Sequence, residues 1–231
     1  MRKALHAAAL ALLLTACGAP APRPTPHPAA PPPAGPPAAR GGTPYRIDSS
    51  HSELRVLVYR AGVMAALGHD HVIVNRALEG WATFSGDVAG AAFYLTVPTS
   101  GFAVDDDAAR LEEGADFSEK VDADAKAGTL HNMLAPGVLD AQEHPSITVQ
   151  SVSIETAAGG AQATVRVSVA GHESTLVVPF TVDTSPGRLH AQVDFKLQQT
   201  RLGLTPISLF LGALRVDDQL RVKLDLVAIR D

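Results

Sequence analysis

The chain has 231 residues, 46% of them hydrophobic, with 19 lysines and arginines against 24 aspartates and glutamates and a single cysteine. A formal charge of −5 with histidine neutral argues against nucleic acid as a partner, because a polyanion requires a cationic surface. One cysteine excludes an internal disulfide, a thiolate metal centre and a covalently attached c-type haem.

At the N-terminus, Arg2 and Lys3 precede an apolar run from Ala4 to Leu14, shorter than the roughly 20 apolar residues of a membrane-spanning helix. Leu14-Thr15-Ala16-Cys17 then reads as a bacterial lipobox. Residues 1–16 are expected to leave as a lipoprotein signal peptide, with Cys17 as the lipid-attachment residue whose acyl chains hold the protein on a bilayer without spanning it. Gly18 after the cysteine, where an Asp would retain a lipoprotein at the inner membrane, points to the periplasmic face of the outer membrane. Cleavage would leave 17 basic and 24 acidic residues, a net charge of −7.

Residues 17–44 read as the lipidated cysteine and a Pro/Ala-rich tether. Eleven prolines fall between Gly18 and Pro44, a composition that cannot bury a core and favours extended polyproline II. At about 3.1 Å per residue this segment reaches at most roughly 80 Å.

From Tyr45 to Asp231 the chain is long enough for one domain with its own core. Its dominant period is two. Leu54, Val56 and Val58 alternate with polar neighbours. So do Ala163, Val165, Val167 and Val169, then Val193, Phe195 and Leu197, and finally Leu220, Val222, Leu224, Leu226 and Ala228. This is the pattern of strands with one apolar and one wet face. Ser146–Ile154 fits with a phase change near Ser151 that predicts a bulge. Turn signals at Gly90, Gly159-Gly160, Ala170-Gly171 and Ser185-Pro186-Gly187 space the runs as antiparallel neighbours. Helix formers gather only in Asp105–Glu113 and Ser118–Met133, the second with Asp116 or Ser118 as its cap. The expectation is a mainly β, antiparallel sheet with a short helical excursion. Such a sheet either packs on another or closes on itself, and an eight-stranded barrel would leave a slot for one slender ligand.

Several pieces resemble a known family in order along the chain. Tyr45-x-Ile47-Asp48 with His51-Ser52 resembles the opening of the YceI-like proteins. Gly80-x-x-x-Phe84-x-Gly86 resembles the family's second strand, and Val104-Asp105-Asp106 resembles the start of its polar stretch after the third. His131-x-Met133-Leu134, Val138-Leu139-Asp140-Ala141 and His144-Pro145-Ser146-Ile147 look like the helix, loop and strand that follow. Val169-Ala170-Gly171-His172 and Thr200-Arg201-Leu202-Gly203-Leu204 are similar to the late hairpin and loop. Residues 45–231 are therefore identified as a YceI-like domain. The resemblance implies an antiparallel, eight-stranded lipocalin-like barrel whose lumen holds a polyisoprenoid or an isoprenoid-quinone-like lipid, without catalysis and without any cofactor. Val56, Val58, Phe93, Leu95, Val178, Phe180, Phe195, Leu224 and Leu226 are the candidate ligand-binding positions of that lumen. At about 0.8 kcal/mol per buried CH₂, a few isoprene units suffice for tight binding. The expected partners are thus the isoprenoid lipid and, through the acyl chains, a membrane; pairing into a homodimer is left open.

One cluster departs from the better-known members of the family. Gly68-His69-Asp70-His71 puts two imidazoles on one side of an extended segment. Three readings stand: a structural polar cluster at a barrel mouth, contacts to a ligand headgroup, or a metal site built on His69 and His71. The last requires a third ligand, from His51, Glu53, His131 or elsewhere in the chain.

Enzyme signatures are missing: the sequence has no GxSxG, GxGxxG, P-loop or HExxH. Ser52 beside His51, with Asp48 nearby, makes a poor nucleophile. Asp105-Asp106-Asp107 lacks the glycine and closing glutamate of a calcium loop and reads as a solvated helix start.

Overall fold

A computed structural model describes residues 42–230. The signal peptide, Cys17 and the tether as far as residue 41 lie outside the described residues. The strands are β1 Thr43–Ile47, β2 Glu53–Val58, β3 Arg60–Ala61, β4 His71–Asn75, β5 Glu79–Phe84, β6 Ala92–Pro98 and β7 Phe102–Val104. Helices α1 Asp107–Glu112 and α2 Ala123–Leu134 follow. The second half supplies β8 Ser146–Ala157, β9 Gly160–Val169, β10 His172–Ser185, β11 Arg188–Gln198, β12 Ser208–Leu209, β13 Leu214–Val216 and β14 Gln219–Ile229. Strand β1 begins at Thr43, so Thr43 and Pro44, assigned by composition to the tether, pair with Phe84 and Thr83 of β5.

Antiparallel pairing runs β1-β5-β6-β8-β9-β10-β11-β14 and returns to β1 through Arg46↔Ile229 and Ile47↔Ala228. The result is the expected closed, eight-stranded barrel. Three of its strands are bent and continue past a break, β1 into β2, β5 back into β4 and β6 into β7, and the continuations pair with one another and with β14. Local chemistry makes each bend. Asp48 caps a single 3-10 turn at Ser49–His51, while the Ser52 hydroxyl donates to the Asp48 carbonyl at 2.7 Å and accepts the Val227 N–H at 2.9 Å. Asn75, fully buried, accepts the Ala77 N–H at 2.9 Å and donates to the Pro98 carbonyl at 2.8 Å, tying two bends together. Gly80 holds φ +145°, and a Cβ there would lie 2.0 Å from the Tyr94 carbonyl oxygen, which explains a glycine at this strand crossing.

The phase change in β8 is a bulge between Ser151 and Ser153, with Ser151 Oγ accepting the Phe93 N–H at 2.9 Å. Both helices differ from the sequence reading. α1 starts at Asp107 on the Asp106 cap. α2 is capped by Asp122, not by Asp116 or Ser118. The residues before it form a 3-10 turn at Ala115–Phe117 because Phe117 and Val121 must be buried. α1 covers the outer face of β2 and β4, where Leu57, Val72, Val74, Ala109 and Phe117 make a small second core. α2 packs against β7 and closes one end of the barrel. The opposite end carries the β8–β9 and β10–β11 turns and the start of β1.

Candidate ligand-binding site

Strict alternation along the barrel strands sends every second side chain inward, and these side chains enclose two cavities. The larger, about 400 Å³, lies at the helix end; Val56, Val58, Ile73, Ile147, Val169, Leu197 and Val222 contribute from the strands and Met133 and Leu139 from α2 and its loop. The smaller, about 140 Å³, lies at the turn end between Phe93, Leu95, Val165, Val178, Phe180, Val193 and Leu226. On β9, β11 and β14 the two sets of lining residues are four positions apart, and the inward residue between them, Val167, Phe195 or Leu224, packs in or on the main core and forms a waist; on β8 the two chambers meet at Ile147 and Val149, two positions apart.

The candidate positions fall accordingly. Val56 and Val58 face the larger chamber, and Phe93, Leu95, Val178, Phe180 and Leu226 the smaller. Phe195 and Leu224 line neither chamber: both pack on the main core between the two, and Leu224 also lines an outer groove. Sequence periodicity missed the contribution of Thr129, Asn132 and Met133 on α2 and of Leu209 and Leu214 in the late loop. For α2, the spacing of Leu130, Met133 and Leu134 was the available signal; all three pack on the core. The late loop has no period to read.

The barrel wall is not paired throughout. The β10–β11 ladder runs only from Thr181↔Gln192 to Ser185↔Arg188. Beyond it both strands continue without pairing to each other among the described residues. A groove of about 600 Å³ lies outside this gap, and Phe180 and Val193 line both groove and smaller chamber. Glu53, Arg55, Asp194, Lys223 and Asp225 make the groove polar, unsuited to an alkyl tail.

At the helix end, His69 and His71 border the larger chamber, their rings edge to face with centroids 6.1 Å apart. His71 Nδ1 donates to Asp105 Oδ2 at 2.7 Å, and its Nε2 lies 3.4 Å from the Thr129 hydroxyl. Asp105, expected in solvent, is fully buried. It takes φ +56° and accepts further hydrogen bonds from the Val72 N–H at 2.9 Å and Arg110 Nη1 at 2.5 Å. Burial pushes its carboxyl up, but the bonds from His71, Val72 and Arg110 outweigh burial and hold it below the usual aspartate value. Arg110 also donates to the carbonyls of Asp70 and Glu119 and lies over the Phe117 ring at 5.8 Å. Arg60 reaches Glu119 at 3.2 Å, and its backbone N–H donates to Asp70 Oδ1 at 2.7 Å. His69 Nδ1 is shielded from solvent, makes no hydrogen bond and lies 3.6 Å from Glu119 Oε1.

This arrangement does not assemble a metal site. His71 spends Nδ1 on Asp105, and among the described residues no group of three or more His, Cys, Asp or Glu side chains gathers to hold an ion. His51 is instead paired with Asp48 at 2.7 Å at the β1–β2 bend, and Ser52 Oγ bonds only backbone atoms.

Residues 45–228 match the family model described as YceI-like domain. The chain belongs to the YceI-like family. Among solved structures, BcnA of Burkholderia cenocepacia superimposes with a TM-score of 0.58 at 15% identity, covering 78% of this chain and 98% of that one. A polyisoprenoid-binding domain from Saccharophagus degradans, implicated in plant cell wall breakdown, gives a TM-score of 0.53 at 10% identity over 81% of this chain and 98% of its own. A mutant YceI protein of Campylobacter jejuni gives 0.51 at 9% identity over 69% and 84%. No curated protein matches the sequence. At these identities the likeness to the solved structures is one of fold.

Proposed function

We propose that the protein is a lipid-anchored periplasmic binding protein that holds a long polyisoprenoid or isoprenoid-quinone-like lipid in its lumen, without catalysis. The observation that carries this reading is the pair of apolar chambers in line along one barrel axis, a shape suited to a slender tail. The polyisoprenoid-binding domain with the same fold supports it. Anchoring rests on Cys17 and its lipobox, and the periplasmic address follows from that anchor.

Charge at the helix end bears on the headgroup. Of the three arginines there, Arg60 and Arg110 are engaged with Asp70, Asp105 and Glu119, which leaves Arg215 to meet the charge of a diphosphate, whereas a neutral carbonyl or hydroxyl needs only one or two hydrogen-bonding partners. His69 Nδ1 and His71 Nε2 provide them, so the headgroup is placed at His69 and His71 and the tail in the chambers. A serine nucleophile has no place here, because Ser52 is used to fasten β14.

Phe180→Asp and Leu224→Asp test the reading. Each puts a carboxylate among inward apolar side chains and should abolish co-purifying isoprenoid in a barrel that retains its circular dichroism. Unchanged lipid occupancy in both would refute it.

A further inference from the structure

Two loop segments carry no charged residue: residues 61–68, AGVMAALG, and residues 204–214, LTPISLFLGAL. Loops run over the surface in water and are normally polar. The fold brings both to the helix end and joins them. Arg60 and Ala61 of β3 pair with Val216 and Arg215 of β13, and the Met64 N–H donates to the Ala213 carbonyl at 2.8 Å. Gly62 permits this approach, since a Cβ there would lie 2.4 Å from that carbonyl oxygen.

The tips of these loops stand in water. Leu211 is 109% exposed, Val63 94%, Leu67 68% and Phe210 67%. Phe210 and Leu211 hold φ values of 51° and 56°, a left-handed conformation disfavoured for any residue but glycine. The chain thus strains its backbone to present large apolar side chains outward, a conflict with folding that points to use. Of the other large exposed hydrophobics, Leu209 belongs to the second of these loops, and Leu111, Val152 and Val177 lie on α1, β8 and β10. Gly68, Leu209 and Leu214, inside the same two loops, line the larger chamber, so the apolar tips form its rim. At the base of the tips stands the exposed Arg215, beside Arg60, which is held by Asp70 and Glu119.

We propose that this double loop is a membrane-docking rim: its tips enter a phospholipid bilayer, Arg215 meets anionic headgroups, and the mouth of the larger chamber opens onto the lipid phase. Apolar tips with an arginine at their base follow the order of hydrocarbon beneath phosphate. The chain outside the described residues fits this geometry. It joins at Gly42, before β1 at the far end of the barrel from the rim. The longest reach of the proline-rich segment, roughly 80 Å, exceeds the ~37 Å spanned by the 11 residues of β14. A barrel held at Cys17 can therefore turn its rim to the bilayer that anchors it. The rim contact is separate from the anchor and does not depend on which lipid fills the lumen.

The test uses the full chain with Cys17→Ala, which removes the native thiol, carrying either Leu211→Cys or, as control, Leu111→Cys on α1, 84% exposed. An environment-sensitive fluorophore on the new thiol is read with vesicles of phosphatidylethanolamine and phosphatidylglycerol, with and without brominated acyl chains. The expected result is a blue shift and bromine quenching at position 211 and neither at position 111. Phe210→Asp should lower vesicle partition on the order of tenfold, and added salt should weaken it. An unquenched label at 211, equal quenching at both positions, or partition untouched by Phe210→Asp would overturn the proposal. So would a lipid-free dimer in sedimentation that Phe210→Asp dissociates, because the rim would then belong to a second copy. Organic extraction of the same samples reads the lumen independently, so an empty lumen and a non-docking rim are distinguishable results.

Discussion

Phe195→Ala probes the waist between the two chambers. Phe195 lies on β11 between Val193, which lines the smaller chamber of about 140 Å³, and Leu197, which lines the larger of about 400 Å³. Truncating a fully buried phenylalanine costs about 3–5 kcal/mol. Phe195 is only half-buried, so the lipid-free barrel should lose about 2 kcal/mol, a Tm decrease of roughly 4–8 °C in a domain of this size. Binding should move the other way, because the removed ring joins the chambers. Each further isoprene unit that enters can contribute up to ~4 kcal/mol at about 0.8 kcal/mol per CH₂-sized group. The assay is the affinity of the wild type and the variant for polyprenols of graded length. In the wild type affinity should stop rising once both chambers are full; in Phe195→Ala, where removal of the ring enlarges the lumen between them, the plateau should move out by at least one isoprene unit. A plateau at the same length in both proteins, with the Tm lowered as calculated, would show that the waist does not limit the tail.

Asp105→Asn should lower stability at neutral pH by about 3–5 kcal/mol, since it leaves the Arg110 guanidinium buried without its counter-charge. Because the Asp105 carboxyl is held below its usual value, its contribution is present above about pH 4 and lost as pH falls further. Urea titrations of both proteins should therefore converge in acid, and a gap independent of pH would contradict the assignment. Ser52→Ala, which strands the buried Val227 N–H, should cost about 1–3 kcal/mol in the same titration with no change in bound lipid; a loss of lipid at full stability would mean Ser52 serves the site. Cys17→Ser should move the protein from the membrane to the soluble periplasmic fraction, and unchanged fractionation would remove the lipid anchor from the account.

Period-two runs made the barrel readable. Val56, Leu95, Phe180 and Leu226 face inward because alternation leaves a strand no other choice once one face is buried, and the bulge at Ser151 showed itself as a slip in that alternation. Local composition also marked the turns at Gly159-Gly160 and Gly187. The bends were hidden, because Ser52 and Asn75 fasten them through side-chain bonds to the backbone of Val227 and Pro98, partners distant in sequence. Asp105 looked like one of three solvated aspartates; its burial depends on His71 and Arg110, which only the fold brings to it. α2 began later than expected because Phe117 and Val121 are held by tertiary burial that outweighs local helix propensity. The division into two chambers lies in the stacking of rows from eight strands, and no single segment records it.

The most direct measurement of the central claim is native mass spectrometry of residues 42–231, secreted to a bacterial periplasm and purified without detergent, followed by organic extraction. The account predicts a bound mass that fragments as a neutral-headed polyisoprenoid and vanishes in Phe180→Asp. A uniformly apo barrel, or one carrying only phospholipid or fatty acid, would contradict it.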